Sequence, residues 1–152
     1  MKEHFTKLFN YNFWANTKLI NNIKNQQIND AGVLKLLSHI VLAEQVWMLR
    51  LKNGNYQNKN YGKVLDITEC EKISNENSKA YLEFIDTANF INSITYKNSK
   101  GIEFTNTIED TLTHVSFHSA YHRGQIAREI RKLNNEPVLT NYIAYVREKL
   151  NH

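Results

Sequence analysis

The chain has 152 residues, of which 41% are apolar and 22% charged, so it can bury a core without disulfide or metal support. Its net charge of +4, from 19 basic and 15 acidic residues scattered along the chain, argues against a nucleic-acid-binding protein. One cysteine excludes a disulfide framework, and the lack of a signal-peptide run or of about 18 consecutive apolar residues predicts a soluble cytoplasmic protein without a membrane partner.

Helical periodicity predicts two long helices in the first third of the chain. The first covers about residues 3–25, where apolar side chains recur at three- and four-residue spacing. The second follows Asp30, which is of an N-cap residue type, and runs to about Lys52. The segment Asn53–Lys63 is rich in glycine and asparagine and predicts a loop.

A third helix and a small hairpin are predicted next. The helix begins after Thr68, because Glu71 stands at capping-box spacing from it, and it continues through Ile85. Residues 91–107 alternate apolar and polar side chains on both sides of the turn sequence NSKG. This pattern favours two short antiparallel strands.

The last part of the chain predicts one long and one short helix. The long helix covers about Ile108–Leu133 and stops before Pro137, and Thr140 caps a short helix over about Asn141–Leu150. The elements together predict an all-α fold, a four-helix bundle with a short extra C-terminal helix and a small hairpin between helices 3 and 4. No repeat or linker divides the chain, so we expect a single domain over residues 1–152.

Three histidines lie four residues apart in the fourth predicted helix: His114, His118 and His122. Each four-residue step turns the helix by about 40°, so His118 and His122 share a face and can share one metal ion. The apolar stripe of the helix runs through this pair, which turns His122 towards the interior. Taken alone, such a pair is more often a surface feature than a metal site.

A third ligand is expected from another helix, and His39 is the candidate. It lies three residues after Leu36 and four before Ala43, so it also faces inward. With His39 included, a metal site and a solvated helix face carry about equal weight. Histidine-only ligation favours zinc or nickel, with iron or copper as alternatives, and a catalytic site would keep one open position.

Several neighbours of the histidines are candidates for supporting roles. His114 lies further around the helix, so we expect a hydrogen-bonding neighbour or a solvated residue rather than a fourth ligand. Gly124 predicts a place where another helix or side chain approaches closely. Glu44 is the expected partner of Arg123, with two solvated side chains as the alternative, and Tyr121 is a candidate for lining a pocket.

Three segments of the chain resemble the signature segments of the DinB family, in the same order. They read LFNYNFWANTKLI (Leu8–Ile20), LLSHIVLAEQVWMLRL (Leu36–Leu51) and HVSFHSAYHRGQIAREIRKLNNEPVLTNYIAYVRE (His114–Glu148). The last segment departs from the family pattern at Asn141, where an acidic residue is usual. A contact made by that carboxylate is therefore not expected here.

The resemblance implies a four-helix bundle in which three histidines hold a divalent metal ion. One ligand comes from the second helix and two from the HxxxHRGQ segment, and on this sequence they correspond to His39, His118 and His122. The resemblance also implies a homodimer.

Relatives of this family include metal-dependent enzymes that use low-molecular-weight thiols. The leading hypothesis is therefore a metal-dependent thiol transferase, or a hydrolase, acting on electrophiles. The sequence offers no convincing separate general base. The alternative hypothesis is a non-catalytic, stress-induced dimer whose metal ion is structural or sensory.

Overall fold

The computed structural model describes residues 1–53 and 62–150, and most of the loop predicted over Asn53–Lys63 lies outside them. The elements in this part of the chain follow the predicted order closely, and the all-α prediction is confirmed. They are α1 (Lys2–Asn25), α2 (Ala31–Asn53), α3 (Ile67–Thr87), β1 (Ser93–Lys97), β2 (Glu103–Thr107), α4 (Ile108–Lys132) and α5 (Tyr142–Leu150).

The four long helices form a bundle in which α1 and α2 each pack against both α3 and α4. Two clusters of buried apolar side chains fill it, one around Phe9 and Tyr81 and the other around Leu37 and Ile126. Along α1 and α4 the chain passes from the first cluster to the second, whereas along α2 and α3 it passes the other way. The helices α1 and α4 therefore run in one direction, and α2 and α3 run antiparallel to them.

A layer of buried polar side chains crosses the bundle between the two apolar clusters. All four long helices contribute to it at the same level, which falls between the apolar residues of each helix. Its members are Asn12, Asn16, Glu44, Ser74, Asn77, Ser116, Ser119 and Arg123. Buried polar groups are costly unless they are hydrogen-bonded, so this layer must satisfy its own donors and acceptors.

Two predicted helix caps are wrong, and one is confirmed. Asp30 caps α2 as expected, because its Oδ1 accepts from the backbone N–H of Val33. The cap of α3 is Asp66 rather than Thr68, because Asp66 and Glu69 form a reciprocal capping box two residues earlier in the chain. At α5, Asn141 replaces the predicted Thr140 and accepts from the backbone N–H of Ala144.

The predicted hairpin is confirmed, with β1 and β2 antiparallel. Its turn uses Gly101 at φ +77°, a backbone conformation that favours glycine. The hairpin is attached to α2 by Arg50, whose guanidinium lies against the rings of both Trp47 and Tyr96 and donates to the carbonyl of Lys97.

The helix α2 is long and apolar enough by composition to cross a membrane. Half of its apolar stretch is buried inside the protein, however, because α2 packs against α3 and α4. That is the arrangement of a core helix, and it is consistent with a soluble protein.

Candidate metal centre

The structure brings the three predicted histidines to one point between α2 and α4. The Nε2 atom of His118 lies 3.1 Å from the Nε2 atom of His39 and 3.2 Å from that of His122. The ligand atoms of the three rings all lie within 4.8 Å of one another. This separation is small enough for one ion to bind all three imidazoles.

The protonation of these rings tests whether the site fits an ion. Nδ1 of His122 donates to Oε1 of Gln125 at 2.6 Å, so in the neutral ring Nε2 carries the lone pair. Nε2 of His118 faces two ring nitrogens, yet it has only one proton or one lone pair to offer them. Tetrahedral metal–nitrogen bonds of about 2.0–2.1 Å place nitrogens about 3.3–3.4 Å apart, close to the observed separations. The residues present therefore fit a divalent ion.

The histidines lie at the edge of the bundle interior, which corrects the expectation that the apolar stripe of α4 runs through His122. The stripe passes through Ser119 and Arg123 instead, because these residues continue the three- and four-residue spacing from Val115 to Ile126. His118 and His122 lie beside the stripe and are half-buried, as is His39. The centre is thus anchored in the bundle and open to solvent on one side.

Burial favours the neutral form of His118 and His39, which is the form that binds a metal ion. Desolvation, with smaller contributions from His122, His39 and His114, lowers the pKa of His118 to about 3. Desolvation, followed by the charge of His122, also lowers the pKa of His39. Little proton release therefore opposes the binding of an ion near pH 7.

The pKa of His118 predicts a pH dependence for the metal-free protein. The unfolded chain binds a proton at this residue below a pKa of about 6.5, whereas the folded chain binds it only near pH 3. The unfolded state therefore takes up more protons in this interval, and stability falls as the pH drops from 6.5 towards 3. Urea unfolding in chelator from pH 7 to pH 4.5 measures this loss. His118→Gln should make it smaller, and an unchanged loss in that variant would contradict the prediction.

Gln125 is a supporting residue whose role the sequence analysis missed. Its side-chain oxygen accepts the hydrogen bond from Nδ1 of His122 and so turns Nε2 towards the other histidines. Such partners of metal-binding histidines fix the tautomer and the ring orientation. The spacing of three residues on one helix is the signal that could have identified it.

Gln125→Leu should therefore weaken metal binding by about 10- to 100-fold. Gln125→Glu keeps an acceptor at the same place and should retain most of the affinity. Competition with a chromogenic zinc chelator measures both constants. Equal affinities for Gln125→Leu and the unmodified protein would show that this hydrogen bond does not orient His122.

Glu44, which follows His39 by five residues on α2, is the centre of the buried polar layer. Only 1% of this residue is exposed. Its Oε1 atom accepts from Nδ2 of Asn12 at 2.8 Å, from Nδ2 of Asn16 at 3.0 Å and from Oγ of Ser119 at 2.7 Å. Asn77 donates to the backbone carbonyl of Val41 and, more weakly, to Oε2 of Glu44. Four helices are joined through this one carboxylate.

Arg123 reaches Glu44 through two asparagines, which modifies the prediction that the two residues pair. Nη1 of Arg123 donates to Oδ1 of Asn12 at 2.8 Å and to Oδ1 of Asn16 at 2.7 Å. The amide groups of both asparagines then donate to Glu44. Each asparagine thus satisfies a buried cation with its oxygen and a buried anion with its nitrogen.

The two asparagines were missed by the sequence analysis, although their spacing carries a signal. They continue the apolar stripe of α1 from Phe9 to Ile20, at positions where an apolar side chain is expected. Asparagines on a buried stripe require partners inside the core. Glu44 and Arg123 in neighbouring helices are the charged residues that supply them.

The other three predicted neighbours lie towards solvent. The His114 ring is exposed, with its centre 5.7 Å from that of His118, and it contacts Trp47 edge-on. Tyr121 is exposed and meets the His122 ring edge-on. The close approach expected at Gly124 does not occur within the described chain, because a Cβ atom built there meets nothing within 4 Å.

Two cavities flank the histidines. One of about 200 Å³ has His39 in its wall, beside Leu36, Leu42 and Ala43, with Lys35, Gly62 and Lys63 completing the lining. The other, of about 260 Å³, has His114 in its wall and is lined further by Trp47, Tyr96, Asn106, Asp110 and Thr111. The first cavity therefore borders the centre at His39, whereas the second reaches only the neighbouring ring of His114.

Comparison with known proteins agrees with the resemblance noted in the sequence. The DinB family model matches residues 1–150. The chain is also similar to Protein DinB of Bacillus subtilis (strain 168), with 27% identity over 165 residues, covering 96% of this chain and 95% of that protein. The family match therefore covers every helix and strand described above.

Proposed function

The chain belongs to the DinB family, and we propose that it is a metal-dependent thiol transferase whose ion is held by His39, His118 and His122. The observation that carries the proposal is the convergence of three Nε2 atoms at a half-buried site, with a cavity beside His39. Three protein ligands leave room for a further ligand, as in catalytic sites.

A bound divalent ion would supply Lewis acidity, which lowers the pKa of a thiol and favours the nucleophilic thiolate. The chain itself would supply three imidazole ligands, which bind a metal ion in their uncharged form, so the positive charge of the ion would be left to attract an anion. Apolar residues of the first cavity, Leu36 and Leu42, exclude water next to His39. In the transfer, the thiolate sulfur forms a bond to an electrophilic carbon, whose leaving group departs with the bonding electrons, and the thiol proton passes to solvent.

The chemistry of the ligands narrows the choice of ion. Imidazole nitrogens suit zinc and nickel, and iron or copper remain alternatives within the same set of ligands. Magnesium and calcium prefer oxygen ligands and do not suit this centre. Elemental analysis of protein purified without chelating columns identifies the ion.

The proposal is tested with the full chain loaded with cobalt, whose absorption spectrum reports its ligands. We expect small thiols to change this spectrum, and the metal-loaded protein to transfer them to alkylating electrophiles. His4→Ala is the matched control, because His4 is an exposed histidine outside the centre. Thiols that leave the cobalt spectrum unchanged, with no thiol consumed in the assay, would reject the proposal.

The alternative is a stress-induced protein with a structural or sensory ion. His114 is the candidate for a fourth ligand, because its ring centre lies 5.7 Å from that of His118; it would have to move towards the other three histidines to close the set. A closed set has no exchangeable position. His114→Ala would then alter the cobalt spectrum and thiols would not, which is the reverse of the result expected for a transferase.

We also propose that the protein is a cytoplasmic homodimer. Support comes from the outer face of α4, where Phe117 and Tyr121 are about two-thirds exposed and Gly124 follows without a neighbour in the described chain. A second copy across a two-fold axis can place an aromatic ring over that glycine. Sedimentation analysis of the unmodified protein and of Phe117→Asp tests this, and a monomer in both would overturn it.

A further inference from the structure

We infer that the cavity beside His39 binds the anionic end of the thiol, and that Lys35 and Lys63 select for its charge. The inference rests on the proposed function, because it assigns the substrate class of the same centre. Neither Lys35 nor Lys63 was predicted from the sequence as a site residue.

The lining of the cavity favours a ligand with an anionic end. Among the described residues, its walls are apolar apart from His39 and the two lysines, and none of these residues is a carboxylate. Both lysines are exposed and lie next to the apolar wall. A ligand with an apolar body and an anionic end matches this lining, because electrostatic attraction is stronger beside a surface of low dielectric.

The geometry of α2 places Lys35 on the same side of the helix as His39. Lys35 precedes His39 by four residues, so both side chains lie on one face of the helix, about 6 Å apart along its axis. Leu42 and Ala43 continue the same face beyond His39. A molecule that reaches the centre with its sulfur therefore extends back along α2 towards Lys35.

Lys63 approaches the cavity from the start of the segment that leads into α3. Its carboxylate neighbour is Glu69, at 3.8 Å between Nζ and Oε1, with both side chains about half exposed. Such an exposed and long ion pair contributes little to stability. A carboxylate in the cavity can therefore compete with Glu69 for the ammonium group of Lys63.

The test uses the full chain loaded with cobalt and three thiols: mercaptoethanol, mercaptopropionate and mercaptosuccinate, which carry no, one and two carboxylates. Titration monitored by cobalt absorption gives each dissociation constant, and calorimetry gives an independent value. We expect mercaptosuccinate to bind at least about tenfold more tightly than mercaptoethanol at low salt, with the preference falling as salt is added.

The double variant Lys35→Gln and Lys63→Gln should lose most of this preference, while its affinity for mercaptoethanol changes less than about twofold. Lys52→Gln is the control, since Lys52 is an exposed lysine at the other end of α2. Equal affinity for all three thiols, or a preference that survives in the double variant, would overturn the inference and leave the proposed function intact. Lysine-dependent heat from mercaptosuccinate without any change in the cobalt spectrum would retain the anion site and reject the proposed function.

Discussion

The variant His118→Ala is expected to retain less than about a hundredth of the metal affinity and to lose thiol transfer. Nε2 of His118 is the atom that approaches both other ring nitrogens, at 3.1 and 3.2 Å. Without it, two ligands remain, and loss of a supporting hydrogen bond alone already costs about 10- to 100-fold. The ratio of metal to protein after dialysis, measured by elemental analysis, gives the result directly.

Two controls separate this effect from misfolding. His4→Ala removes an exposed histidine and should leave the metal content unchanged. The circular dichroism spectrum of His118→Ala should match that of the unmodified protein, because His118 lies beside the core rather than within it. A folded His118→Ala protein that keeps its metal ion would show that the three histidines are not the ligands.

The second large effect is expected at Glu44. Replacing it with alanine should lower the free energy of unfolding by about 3–5 kcal/mol, the usual cost of removing one partner from a buried charged network. The variant leaves Asn12, Asn16 and Ser119 without their acceptor and Arg123 without a compensating charge. Urea unfolding at pH 7, monitored by circular dichroism, measures the change.

Two further variants make this result specific. Glu83→Ala removes an exposed glutamate from α3 and should change stability by less than about 0.5 kcal/mol. Glu44→Gln keeps the oxygen that accepts three hydrogen bonds, so its loss should be smaller than that of Glu44→Ala. If Glu44→Ala costs less than about 1 kcal/mol, the layer does not depend on this carboxylate.

Periodicity predicted the helices well because a helix in a bundle must bury one stripe. The buried positions of α1 and α4 repeat every three or four residues, and this is visible in the sequence. The caps were harder to predict, since Asp66 and Thr68 both precede an acidic residue at capping-box spacing. The difference between them depends on where the preceding chain enters the helix, which periodicity does not report.

The candidate site was predictable only in part, for a similar reason. His39 and the His118–His122 pair follow from spacing within two helices, and the resemblance to the DinB family joined them. The network of Glu44 depends on which residues of four helices lie at the same level of the bundle, a relation between distant segments. The prediction for Gly124 was wrong within the described chain, because a glycine at one position of a helix does not show what lies opposite it.

The buried polar layer bears on how the three histidines would bind a metal ion. If any long helix slid by one turn, its polar side chain would lose its hydrogen bond to Glu44 or Arg123. A charged group would then be left unpaired in the apolar core, so the layer fixes the axial alignment of the bundle. His118 and His122 flank Ser119 in that layer, and His39 lies about one turn from Glu44. The fold itself thus prearranges the imidazoles, unlike those of a zinc finger, and we expect a metal ion bound by them to leave and return without unfolding the protein.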